Sequence, residues 1–160
     1  QITAIAGEVD MPTVLLMATL TNKRGQVVSR AFVTVASGML PKTIEDPVAW
    51  LRSVGLTENA INPETLTLPD NAQELVAKSV EIAGNQLQPM MAAARNHATS
   101  RIEYWIDRAD RWQHAKDGSQ TVLRAGRSAN LIAEERALIA SLEPDRELIR
   151  PLVLVLPKEQ

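Results

Sequence analysis

The chain contains no cysteine. Disulfides, zinc ribbons and thiol chemistry are thereby excluded, and the composition suits a reducing, cytoplasmic setting. Aromatic residues make up only 3% of the 160 positions, so aliphatic side chains must build most of the core. No apolar run approaches the roughly 20 residues of a membrane span, so no membrane-spanning helix is expected within these 160 residues. The first residues show no basic segment followed by an apolar one, so no secretory signal is expected within them. There are two histidines, His97 and His114, and no HExxH spacing surrounds either. The segment NKRGQ has one glycine and no GK[ST], which excludes a phosphate loop, and no GxSxG is present. The acidic pairs Glu134–Glu135 and Asp145–Glu147 lack the surroundings that would raise a carboxyl pKa. No set of side chains assembles an active site, and no cofactor or metal is expected.

What the chain does have is 45% hydrophobic and 22% charged residues with a net charge of −2. These are the proportions of a soluble globular domain. A chain this long buries roughly 68–70% of its unfolded surface. The small negative charge gives no global attraction to nucleic acid or to an acidic membrane.

The order of elements is legible. VLLMATLT (14–21) and VVSRAFVTV (27–35) are strand-like runs around NKRGQ, where Gly25 can take a positive φ, and they predict a β-hairpin within 1–40. ITAIA predicts a short strand before it. SGMLPKT reads as a loop. IEDPVAWLRSVGL predicts a short helix over 44–56, capped by Asp46, with Pro47 in its first turn and Gly55 at its end. Val48, Leu51 and Leu56 are expected to face inward. TENAINPETLTLP reads as irregular. A helical hairpin is predicted over 70–142, with Asp70 as its cap and a kink or short break between Gly84 and Pro89. Its second arm runs from about Ser119 to Leu142. The closing apolar run Leu152–Leu156 shows no polar alternation, which predicts a strand over 148–157 covered on both faces, with Pro151 at its start or on an edge. The fold expected is α+β: a small antiparallel or mixed sheet of the N-terminal hairpin plus the C-terminal strand, with a long antiparallel helical hairpin.

The segment RIEYWIDRADRW (101–112) holds two of the three tryptophans and the only tyrosine. On a helix, Met91, Ala94, Ala98, Ile102, Trp105, Ala109 and Trp112 recur at steps of three and four, a seam of coiled-coil type. Leu131, Ile132, Glu135, Leu138, Ile139 and Leu142 give the second arm a matching stripe. In the plainer reading Trp105 and Trp112 fill the seam between the arms, and Trp112→Ala costs about 3–5 kcal/mol. In the sharper reading the arginines beside those rings track phosphates while the rings stack bases. Residues 95–127 carry seven basic and four acidic side chains, a net of +3, against −3 for residues 1–94. The candidate nucleic-acid-binding residues are Arg101, Arg108, Arg111, Lys116, Arg124 and Arg127. Glu103, Asp107 and Asp110 interrupt this stripe in the linear sequence, and Asp107 is placed to pair with Arg111 at i+4.

RIEYWIDRADRW followed by EERALIASLEPDRELIRPLVLVLP resembles the far C-terminal region of bacterial Swi/Snf-type helicases. These are superfamily-two translocases on DNA or RNA, related to the RNA-polymerase-recycling helicase and to motors of phage-defence systems. The hairpin VLLMATLTNKRGQVVSRAFVTV resembles the β-rich segment that follows their motor lobes. The resemblance spans roughly residues 11–157. It implies an accessory domain that contacts nucleic acid, the motor lobes or a protein partner. The phosphate loop and the acidic metal-binding box of the motor are absent, and would lie upstream of Gln1 in a longer parent chain. A protein-interaction or oligomerisation module built on the helical hairpin is the competing expectation. On the resemblance, the purified chain is expected not to hydrolyse ATP. ATP turnover that vanishes on mutating one of the chain's own residues would contradict this.

Overall fold

The structure is a computed structural model describing residues 2–60, 62, 66–117 and 133–158, with backbone alone for 112–117. It is an α+β fold with an open, mixed five-stranded sheet. The strands are β1 (Thr3–Gly7), β2 (Thr13–Asn22), β3 (Val27–Ala36), β4 (Lys42–Ile44) and β5 (Pro144–Pro157). The helices are α1 (Pro47–Ser53), α2 (Ala72–Asp117) and α3 (residues 133–140). The sheet order is β1-β5-β2-β3-β4, so the last strand returns and inserts between the first two. β1 runs parallel to β5, with Thr3 opposite Val153 and Gly7 opposite Pro157. Contacts divide the chain into two compact units: one of residues 1–19, 30–89 and 147–160, the other of 20–29 and 90–146.

In the first unit, residues 153–156 of β5 are all buried. Alternate side chains of a strand point to opposite faces, so two coverings are needed. On one face Val153 and Val155 join Leu15 and Val54, with Ile5, Phe32, Trp50, Leu51 and Leu56 packed around them. On the other face Leu154 lies with Ala4, Ala72 and Val76 around an apolar cleft. The unalternating apolar run is thus a strand covered on both sides, as its composition predicts.

The short helix forms for the expected reasons. Asp46 Oδ1 accepts from the Val48 and Ala49 N–H groups at 2.9 and 3.1 Å, and Pro47 occupies the first turn. At the other end Gly55 has φ +81°, its N–H donates to the Arg52 carbonyl, and Leu56 N–H donates to the Leu51 carbonyl. This pair of bonds is the Schellman closure, which favours glycine at the left-handed position. One inward position differs. Val48 is 54% exposed, and Trp50 packs on the core instead.

Other boundaries shift. The segment 42–44, read as part of a loop and the approach to the helix, forms β4 by antiparallel pairing with β3, Phe32 opposite Ile44. Three residues beside a proline carry too little pattern to show as a strand. β5 begins at Pro144, four residues before the predicted start, so Pro151 lies inside it; of its two expected places, start or edge, it takes the edge, two residues before the register with β1 opens at Val153. α2 starts at Ala72, with the Asn71 carbonyl accepting from Leu75 N–H at 2.9 Å, so Asn71 holds the capping place expected of Asp70. Of the kink or short break expected between Gly84 and Pro89, the break is absent: helix continues through Pro89. Pro89 and Asn85 are both exposed, so the carbonyl that loses its N–H partner lies on the wet side of the helix.

In the second unit, the hairpin turn is closed by Asn22. Its Oδ1 accepts from the Arg24 and Gln26 N–H groups, both at 3.0 Å, and Gly25 takes φ +78°. The Lys23 ammonium pairs with the Glu143 carboxylate, and Lys23 N–H donates to the Glu143 carbonyl at 3.0 Å. Arg136 of α3 pairs with Asp110 of α2, and Arg95 of α2 donates to the carbonyls of Pro144 and Asp145, both at 3.4 Å. The Arg136–Asp110 pair ties α3 to α2; the predicted start of the second arm at Ser119 lies outside the described residues, and its helix ends at residue 140 rather than at Leu142. The second-arm stripe is only partly realised. Ile139 is half-buried, whereas Glu135, Leu138 and Leu142 are exposed, and Leu131 and Ile132 lie outside the described residues.

Two glycines test the packing in opposite directions. A Cβ on Gly7 would stand 2.5 Å from Val155 Cγ1 and 3.0 Å from the Val54 carbonyl oxygen. Gly7→Ala should therefore destabilise by about 1–3 kcal/mol, as overpacking does. A Cβ on Gly84 would meet only Ile149 Cδ1, at 3.3 Å, the end of a flexible side chain. Alanine there also gains about 1 kcal/mol of helix propensity. Gly84→Ala should be neutral or stabilising. Urea midpoints of the two variants against the parent check both signs, and equal midpoints for Gly7→Ala and the parent would contradict the close contact.

Candidate nucleic-acid interface on helix α2

The buried stripe of α2 sets what the rest of the helix presents. Ser79, Ala83, Leu87 and Met91 are buried at steps of four. Ala94 and Ala98 are half-buried, and Ile102 and Ala109 are buried with Ile106 half-buried between them. Trp105 therefore lies outside the seam, 47% exposed, and its neighbour Tyr104 is 58% exposed. The expectation that Trp105 fills the seam is overturned. The spacing Ile102–Trp105–Ala109 and the spacing Ile102–Ile106–Ala109 both fit a helix, and the smaller aliphatic residue takes the inward place. Trp112 falls among the residues described by backbone alone.

The exposed rings are not isolated. The Tyr104 and Trp105 centroids are 5.6 Å apart in an edge-on arrangement, 76° between planes. The Arg108 guanidinium lies over the Trp105 ring, 5.4 Å from its centroid. A cation held against an indole face at an exposed site is worth about 0.5–1 kcal/mol. The planar guanidinium keeps its N–H donors at the rim, free to meet an anion while it stacks.

Charges that alternate in sequence are sorted in space. At about 100° per residue, Arg101, Tyr104, Trp105 and Arg108 fall within an arc of about 100° on one side of the buried stripe. Glu103, Asp107 and Asp110 fall within about 60° on the other side by the same geometry. The acids do not interrupt the basic stripe, contrary to the linear reading. Asp110 is engaged by Arg136 of α3, and Asp107 pairs with Arg111 at 2.8 Å, the i+4 pair expected from the sequence. That pair is exposed on both sides, so it contributes little to stability, but it directs Arg111 toward the acidic flank.

Of the six candidate basic residues, Arg101 and Arg108 share the aromatic flank and Arg111 stands at its border. The Lys116 side chain, Arg124 and Arg127 lie outside the described residues. Arg95, part of the local positive excess, is turned to the carbonyls at the start of β5. Exposed His97 falls on the same side of the helix as Arg101 and Tyr104. Trp105 fits the seam and the stacking reading alike, whereas Tyr104, which falls off the seam spacing, had no place in either. Reading the arginines in helical projection separates them from the acids and marks the flank.

Among the described residues, no group of three or more His, Asp or Glu side chains stands close enough to hold a metal ion, and no helix is long and apolar enough to cross a membrane. No protein-family model, no curated protein and no solved structure matches the chain.

The two readings of the seam separate by stability. Ile102→Ala removes a buried side chain and should cost about 2–5 kcal/mol. Trp105→Ala removes an exposed ring and one cation–π contact and should cost no more than about 1 kcal/mol. Chemical denaturation of both variants measures this. A larger loss for Trp105→Ala than for Ile102→Ala would return the ring to the seam.

Proposed function

We propose that the chain is a nucleic-acid-binding module without catalytic activity of its own, and that its contact surface is the basic–aromatic flank of α2. The observation that carries this reading is the exposed cluster of Tyr104, Trp105 and Arg108, with Arg101 one turn away. In an aromatic-poor chain, two of five aromatic residues stand side by side in solvent, and neither contributes to the core. Exposed aromatics beside arginines, with the acids turned away, offer an anionic polymer both charge and π-faces. The setting we propose is the C-terminal accessory part of a bacterial Swi/Snf-type helicase. That setting rests on the resemblance of RIEYWIDRADRW and the closing LEPDRELIRPLVLVLP to that region, and in it the motor lobes are a second partner.

Phosphate contacts should dominate affinity, since the flank offers few groups able to read base edges. Binding of labelled oligonucleotides, followed by fluorescence anisotropy on the full chain, should weaken as salt rises. Arg101→Ala combined with Arg108→Ala should weaken it further and flatten the salt dependence by about 0.7 unit of slope per lost contact on a single strand and about 0.9 on a duplex. Asp107→Asn releases Arg111 from its pair and should tighten binding. Equal affinities for parent and double variant would remove this flank from the site. No binding to any oligonucleotide at low salt would overturn the reading in favour of a protein-interaction module.

A further inference from the structure

We infer that the flank takes an unpaired strand, with a base stacked on Trp105 and neighbouring phosphates held by Arg101 and Arg108; this rests on the nucleic-acid reading above. The geometry favours a single strand over a duplex. In a duplex the bases are stacked on one another, and a protein ring on a helix surface meets only groove edges and backbone. In an unpaired strand each base presents a π-face, which an exposed indole can engage whatever the sequence. Trp105 is nearly half exposed, with Arg108 over its ring and Tyr104 meeting it edge-on. The guanidinium of Arg108 is already desolvated on its indole side and still has donors at its rim.

The spacing sets the length of strand held. Arg101 and Arg108 are seven residues apart, about 10.5 Å along the helix axis. A stacked strand rises about 3.4 Å per nucleotide, so that interval matches about three nucleotides. The acids lie on the opposite flank, where they repel a strand that strays, and so confine it to the side bearing the rings. Two phosphate contacts on a single strand correspond to a salt slope of about −1.4, at about −0.7 each.

The test uses the full chain with three fluorescein-labelled probes: a 12-nucleotide oligo(dT), oligo(U) of the same length, and a 12-base-pair duplex. Proteins are the parent, Trp105→Ala, Trp105→Phe, and Arg101→Ala with Arg108→Ala. The parent should bind the single strands at least severalfold more tightly than the duplex. Trp105→Ala should weaken single-strand binding by about tenfold, within the range of one base–aromatic stack, while leaving the salt slope and duplex binding unchanged. Trp105→Phe should recover most of the loss. Because the ring lies outside the seam, the melting temperature of Trp105→Ala serves as the folding control. Duplex binding equal to or tighter than single-strand binding overturns this inference, as does an unchanged affinity in Trp105→Ala; in both cases loss of affinity in the double arginine variant leaves the broader nucleic-acid reading standing. Absence of binding to all three probes overturns both.

Discussion

The structure of the first unit depends on β5 being buried from both sides. Val153 and Val155 face the cluster that includes Leu15, Val54 and Trp50, while Leu154 faces the start of α2. Neither covering is optional, because alternate side chains of one strand cannot share a face. The apolar run at the end of the sequence therefore requires α1 on one side and α2 on the other. It also draws β1 into parallel pairing beyond Val153. Residues near both ends of the chain thus share one ladder, and neither side of the sheet can be completed before the last strand is in place. Gly7 shows how close this assembly is, for no Cβ fits between Val155 and the Val54 carbonyl.

Much of this was legible in the residues. Asp46, Pro47 and Gly55 specify the ends of α1 through hydrogen bonds and a positive φ, which depend on a few local atoms. Gly25 in the turn is legible for the same reason, and Asn22 supplies the oxygen that holds it. The double burial of β5 follows from composition alone. β4 was not legible, because three residues gain strand geometry only from the β3 backbone beside them. The uninterrupted passage of α2 through Pro89 was not legible either. Proline's local cost argues for a break, and its position on the exposed side of a long helix lets water satisfy the carbonyl it leaves. Local chemistry is thus readable where the deciding atoms are near in sequence, and fails where a distant strand or the surrounding solvent decides.

The candidate site was half legible. Arg101, Arg108 and Arg111 follow from local charge, but Trp105 fits seam spacing as well as Ile106 does. Choosing between them requires knowing which residue is buried. A helix brings i, i+3, i+4 and i+7 together, so alternation of Arg and Asp along the chain says little about alternation on the surface. In 101–111 the arginines at 101 and 108 are seven apart and share a side, and the acids at 103, 107 and 110 share the other. Linear interleaving of opposite charges usually signals a solvated mixed face. Here the same residues, projected, place Arg101 and Arg108 on one flank and the three acids on the other, with Arg111 at the border paired to Asp107.

That separation matters more than net charge. At −2 the whole chain has no long-range pull on a polyanion. At physiological salt the screening length is about 8 Å, shorter than the rise from Arg101 to Arg108 along the helix, so a bound phosphate senses mainly the side chains within a turn of it. Asp110 is held by Arg136, and Asp107 by Arg111, which partly neutralises the nearest negative charges. What a strand would meet along the flank is two guanidinium groups, two rings and little opposing charge. On the proposed reading, steering from a distance would be weak and affinity would come from close contact, a combination that suits a domain brought to its ligand by a larger assembly rather than one that must capture it from dilute solution.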